Sequence, residues 1–153
     1  MSTVDRPTAK PTAIHRRVEA LRRGLEPGCI ARLESGWAVF GERQFLRGYA
    51  LLLPDPVVPT LNDLPPAARV QFLADMARLG DALLAVTGAL RINYAMFGNL
   101  EPALHAHVVP RYREEPSPLD VAHPWAYDWS SAPIFDAERE RDLLSAVRAA
   151  LSV

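Results

Sequence analysis

The apolar residues Phe72, Met76, Leu79, Leu83, Val86 and Leu90 recur at spacings of four, three, four, three and four. Such a series runs along one side of an α-helix several turns long, and the stripe must be covered by other parts of the chain. Strand-like runs flank it. Residues 36–40 and 49–53 precede it, linked through Gly41 to Gly48. Residues 91–97 and 104–109 follow it, linked by the turn-forming Gly98-Asn99-Leu100-Glu101-Pro102. Short links between successive strands favour antiparallel pairing. The expected fold class is α+β: an antiparallel sheet with helices packed around it, not a doubly wound parallel sheet.

Two further helices are expected. From Thr12 to Leu25, Ile14, Val18, Leu21 and Leu25 share one face, arginines 16, 17, 22 and 23 occupy the other side, and Pro27-Gly28 stops the pattern. Residues 136–151 are helical again by pattern. The long central helix is expected over about 65–90, with Asp63 as N-cap and Pro65 in its first turn, and Gly80 inside it marks a close packing contact. Residues 1–11 hold Pro7 and Pro11 and little apolar content, so they read as a loose arm before a single domain over 12–153. The tail over 113–135 is rich in proline and tryptophan and has no period.

Composition narrows the function classes. The 153 residues suit one domain, and 49% hydrophobic with 23% charged residues is a globular balance. A net charge of −1 speaks against holding nucleic acid by a basic surface. No apolar run approaches the roughly 20 residues needed to span a bilayer, and no apolar core follows the basic N-terminus as in a signal peptide. The lone cysteine, Cys29, excludes an intrachain disulfide and a two-cysteine zinc site, and a cytoplasmic location is expected.

The stretch that carries chemistry is Leu104-His105-Ala106-His107-Val108-Val109-Pro110-Arg111. On a strand, alternate side chains share a face, so His105 and His107 stand together, about 6–7 Å apart at their bases, while Leu104, Ala106 and Val108 face the core. Such a pair can bind a metal, act as nucleophile and general acid on phosphorus, or stand as ordinary polar residues on a wet sheet face. A metal would need further ligands, and no acidic residue lies nearby at good spacing, so no metal site is expected. His15 and His123 have no evident chemical partner in the sequence.

The segment from Asn93 to Arg111 resembles the signature of the histidine triad (HIT) family: three histidines alternating with apolar residues, two further apolar residues and often Pro-Arg. Aligned on Val108-Val109-Pro110-Arg111, His107 matches the third histidine, His105 the second, and Ala103 stands at the first. Gly98-Asn99 through His107 is similar to the Gly-Asn-x-x-Pro-x-Leu-His-Ala-His of the branch associated with diadenosine polyphosphate hydrolysis. Gly48 to Pro54 and the helix over 65–90 extend the likeness to about residues 28–112, leaving out the arm and the tail.

The resemblance implies a nucleotide phosphohydrolase acting at the α-phosphorus of a dinucleoside polyphosphate or a nucleoside phosphoramidate. His105 is then the nucleophile, forming a nucleotidyl-imidazole that water resolves. His107 contacts the phosphate or the bridging oxygen. The main-chain carbonyl at position 103 holds the nucleophile's other ring nitrogen. Asn93, Gly98 and Asn99 are the implied substrate contacts. The expected state is a homodimer that needs no cofactor, apart from a divalent cation carried with a polyphosphate substrate. Arg111 is expected to be structural. Trp125, Tyr127 and Trp129 alternate in the tail and suit local core cover, a lid on the nucleotide site or contact with a second subunit. A nucleotide-binding protein of the same fold with weak turnover is the alternative.

Overall fold

A computed structural model describes residues 10–152; the arm expected over 1–11 therefore lies almost wholly outside the described residues. Five strands form one antiparallel sheet: β1 (Cys29–Arg32), β2 (Gly36–Phe40), β3 (Ala50–Pro54), β4 (Arg91–Ala95) and β5 (Ala106–Arg111), in the spatial order β1-β2-β3-β5-β4. Helices α1 (Ala13–Arg22), α2 (Pro66–Thr87) and α3 (Arg141–Leu151) cover it.

The period-two pattern of the strands decides which helix covers which face. Ala38, Phe40, Ala50, Leu52, Ala106 and Val108 point to one side, where Phe72, Leu79 and Leu83 of α2 and Leu143, Leu144 and Val147 of α3 bury them. Val39, Tyr49, Leu51, Leu53 and Val109 point to the other, against Ile14, Val18 and Leu21 of α1. His107 pairs with Leu51 on one side and Ala95 on the other, so the histidines lie on this second face.

Element ends depart from expectation for local reasons. The central helix starts at Pro66 with Pro65 as N-cap, not at Asp63. Leu64 and Pro65 are extended (ψ 138° and 151°), as a residue before proline prefers, and Asp63 instead closes a 3-10 turn in which its carboxylate accepts from the Thr60 hydroxyl. The helix stops at Gly88, whose φ of 69° suits glycine, so Leu90 leaves the stripe and is exposed. Likewise α1 ends at Arg22, with Arg23 as C-cap before the left-handed Gly24, and Leu25 is exposed. At its other end Thr12 and His15 make a reciprocal capping box, which gives His15 its task. The last helix begins at Arg141, after a turn in which the Asp136 carboxylate accepts from the Glu138 and Arg139 amides.

Strand β5 runs on through Pro110 instead of closing there. Arg111 gives its carbonyl to the Leu90 amide of the β4 side, so the nitrogen of Pro110 faces the opposite side, where β3 pairs only as far as Val108. No ladder bond is lost. Gly80 does mark a close contact: a Cβ there would run into the Tyr94 hydroxyl. No helix among the described residues is long and apolar enough to cross a membrane.

Candidate active site

His105 lies one residue before β5, where the chain turns onto the sheet. Its Nδ1 sits 2.7 Å from the carbonyl oxygen of Ala103. A carbonyl only accepts, so Nδ1 carries the proton, and in the neutral ring Nε2 presents a lone pair. The Ala103 side chain is fully buried among α1 and the sheet residues of the same face. At position 103 the side chain thus serves packing and the carbonyl serves His105.

His107 is held by the residue that leads into the neighbouring strand β3. Its Nδ1 lies 2.7 Å from the Tyr49 hydroxyl, and the two rings are near parallel. Burial, with the nearby His105 ring adding to it, pushes the His107 pKa down to about 4. Burial likewise raises that of Tyr49, which therefore keeps its proton. When Tyr49 donates into Nδ1, the neutral His107 ring carries its proton on Nε2, which is then free to donate. The Tyr49 ring fits because residue 41 is glycine: a Cβ at Gly41 would overlap it. Tyr49 was not singled out by its sequence, since only the pairing of β3 with the distant β5 brings it to His107. The centroids of the two histidine rings are 4.9 Å apart.

Asn93 pairs with Val109 and so sits on the histidine face. Its Oδ1 accepts from Arg111 Nη1 at 2.7 Å. A guanidinium only donates, which fixes the amide orientation and turns Nδ2 away from Arg111. Arg111 is structural, as expected, and more central than its sequence suggested. It is buried, forms a two-oxygen contact with Glu115, and donates to the carbonyls of Leu119 and Ala122. Tyr127 also donates to Glu115, at 2.6 Å. This knot straps the aperiodic tail across the histidine face. There Trp129 stacks on Phe45 at 4.0 Å, Trp125 stacks on Trp129 at 5.3 Å, and Trp125 meets the His107 ring edge-on at 4.9 Å.

Two hollows flank the pair. One, of about 340 Å³, is lined by His105, Gly98, Ala103 and residues 59–62. The other, of about 490 Å³, is lined by Asn93, Ala95, Val109, His123, Pro124 and Trp125, and Phe97 borders both. Gly98 is thus beside His105, whereas Asn99 is exposed in the same turn, outside the walls of both hollows. The Glu101 carboxylate accepts from the Ala13 amide at the start of α1, which ties the turn to that helix. Among the described residues, no group of three or more His, Cys, Asp or Glu side chains is placed to hold a metal ion.

No protein-family model and no curated protein matches the sequence. Solved structures do match. A histidine triad protein from Bradyrhizobium japonicum is 24% identical, with a TM-score of 0.70 over 92% of this chain and 99% of that one. A histidine triad protein from Marinobacter aquaeolei is 17% identical, with a TM-score of 0.72 over 92% and 96%. A hypothetical histidine triad nucleotide-binding protein from Sulfolobus tokodaii is 13% identical, with a TM-score of 0.69 over 88% and 90%. At these identities the likeness establishes the fold.

Proposed function

We propose that this chain, which has the histidine triad fold, is a nucleotide hydrolase working at the α-phosphorus through a nucleotidyl-His105 intermediate. The observation that carries the proposal is the bond from His105 Nδ1 to the Ala103 carbonyl, which commits the ring to the tautomer with a nucleophilic Nε2. In the first step Nε2 attacks the α-phosphorus. The N–P bond forms as the bond to the leaving group breaks, and the leaving oxygen or nitrogen takes a proton from solvent, which the attacking water of the second step returns. In the second step water attacks the same phosphorus. The P–N bond breaks, its electron pair returns to Nε2, and the nucleoside monophosphate departs. Splitting one displacement into two lowers each barrier.

His107, neutral and donating from Nε2, suits the phosphoryl oxygen or the bridging atom, where charge develops. Asn93 Nδ2 and the main chain around Gly98 are further donors on the same face. The substrate is a dinucleoside polyphosphate or a nucleoside phosphoramidate. No cofactor takes part in these steps, and a divalent cation enters only with a polyphosphate substrate. A homodimer belongs to the proposal, supported by β4 lying at the sheet edge with Leu90 and Tyr94 exposed beside it.

The test is product analysis by chromatography. Wild type and His105→Asn are each incubated with diadenosine tetraphosphate and with adenosine phosphoramidate, with and without chelator. Adenosine monophosphate is expected from the wild type and not from the variant, and chelator leaves phosphoramidate turnover intact. Nucleotide binding with no product from either substrate would replace the hydrolase with a binding protein.

A further inference from the structure

The aromatic tail is not used by the two-step chemistry, yet it stands at the site. An in-line displacement puts the entering nitrogen and the leaving group on opposite sides of phosphorus. With His105 entering, the leaving group points away from it. Along β5 the same-face order is His105, His107, Val109, at about 6.5 Å per step. The hollow floored by Val109, Asn93 and Ala95 begins level with His107 and extends beyond it, away from His105, so a leaving group directed along the strand reaches it.

That hollow has the form of a ring-binding corner. Phe97 is 58% exposed and Trp125 38% exposed, which is unusual for such large apolar groups beside a cavity. Their rings meet at 85° with centroids 4.8 Å apart, so a flat ring stacked on one presents its edge to the other. The volume of about 490 Å³ is within the range of small-ligand sites. Polar groups are few: the amide of Asn93 in the floor and the imidazole of His123 at the wall. The corner is also preformed, because Arg111 and Glu115 anchor the segment that delivers Trp125.

We propose that the corner made by Trp125 and Phe97 is the leaving-group subsite and takes the second nucleobase of a dinucleoside polyphosphate. It rests on the hydrolase reading and chooses between its two substrate classes. A substrate whose leaving group ends in an aromatic ring fills the corner; adenosine phosphoramidate, which releases ammonia, leaves it empty.

The experiment compares kcat/KM for diadenosine tetraphosphate with that for adenosine phosphoramidate. Trp125→Ala is expected to lower that ratio by about 5- to 100-fold, the range for removing one base-stacking platform. Phe97→Ala lowers it in the same direction, and Trp125→Phe, which keeps a ring, restores most of it. An unchanged ratio in Trp125→Ala and Phe97→Ala overturns the assignment, even where both rates fall together, because that pattern marks damage to His107 or to the fold. Calorimetric titration of His105→Asn with the same two ligands separates this proposal from the hydrolase reading. Loss of the preference for diadenosine tetraphosphate on adding Trp125→Ala upholds the corner even where wild type turns over neither ligand. A preference unaffected by Trp125→Ala refutes it.

Discussion

Replacing Arg111 by alanine is the most informative single change to the scaffold of the site. The guanidinium is buried, and its partner Glu115 is buried with it: their side chains are 8% and 4% exposed. Removing the cation strands a carboxylate that still receives bonds from Tyr127 and from the Tyr112 amide. It also frees the carbonyls of Leu119 and Ala122 and the Oδ1 of Asn93. Breaking one half of a buried ion pair costs about 3–5 kcal/mol, against about 0–1 kcal/mol for an exposed pair. At about 2–4 °C per kcal/mol for a chain of this size, Tm should fall by roughly 6–20 °C. Urea denaturation followed by far-ultraviolet circular dichroism measures the loss. Tryptophan emission reports separately on the tail, which should release first. The double variant Arg111→Met with Glu115→Gln removes the stranded charge and should recover at least half of the loss. Burial pushes the Glu115 pKa up, but the bonds from Arg111, Tyr127 and the Tyr112 amide outweigh it and hold the carboxyl below its ordinary value. Its contribution is therefore complete above the ordinary carboxylate range and disappears as pH falls through the depressed folded value. A loss below about 1 kcal/mol in Arg111→Ala would refute the account of the knot, because that is what an exposed pair gives.

His107, held neutral with a folded pKa of about 4 against an ordinary 6.5, binds its proton later than the unfolded chain does. Its term is intact above pH 6.5 and shrinks as pH falls from there to about 4, by about 3 kcal/mol in all at 1.36 per pH unit. Denaturant midpoints from pH 7.5 to 4.5 should therefore fall less steeply in His107→Gln; equal slopes contradict the assignment. Tyr49→Phe leaves His107 Nδ1 without its donor and should cost about 1–2 kcal/mol in stability and roughly tenfold in kcat/KM; an unchanged rate would show that this bond does not position the ring. Gly41→Ala drives a Cβ into the buried Tyr49 ring and should cost about 1–3 kcal/mol while shifting the His107 imidazole resonances, whereas unshifted resonances would mean that Tyr49 is free to move. Sedimentation velocity should give a dimer, and a charge introduced at the β4 edge by Tyr94→Glu should yield monomer; a monomeric wild type removes that part of the proposal.

The parts of the fold carried by long or strict periods were legible in the sequence. The stripe of α2 and the strand-like apolar run of 36–40 point to the elements found, and Leu104, Ala106 and Val108 face the core as their spacing requires. Strand β1 was missed because it has four residues and an irregular register between Cys29 and Ala31, too little for a period to show. Helix ends were misplaced where single backbone conformations decided them, at Gly88, Gly24 and Pro65-Pro66. At the site, His105 and His107 are legible because their neighbours in sequence are their neighbours in space. Tyr49 is not, since its link to His107 spans 58 residues. Nor is the tail, whose path is set by one arginine reaching main-chain carbonyls, contacts that impose no repeating pattern on the residues they hold.

The central claim is a covalent bond from His105 to the nucleotide, and trapping that bond tests it most directly. The protein is mixed with diadenosine tetraphosphate, quenched in base, where a phosphoramidate survives, and examined by intact-mass and peptide mass spectrometry. The account predicts an added adenylyl group on the peptide carrying His105, lost on acid treatment and absent from His105→Asn. Adenosine monophosphate released by His105→Asn at the wild-type rate, with no adduct in either protein, would contradict it.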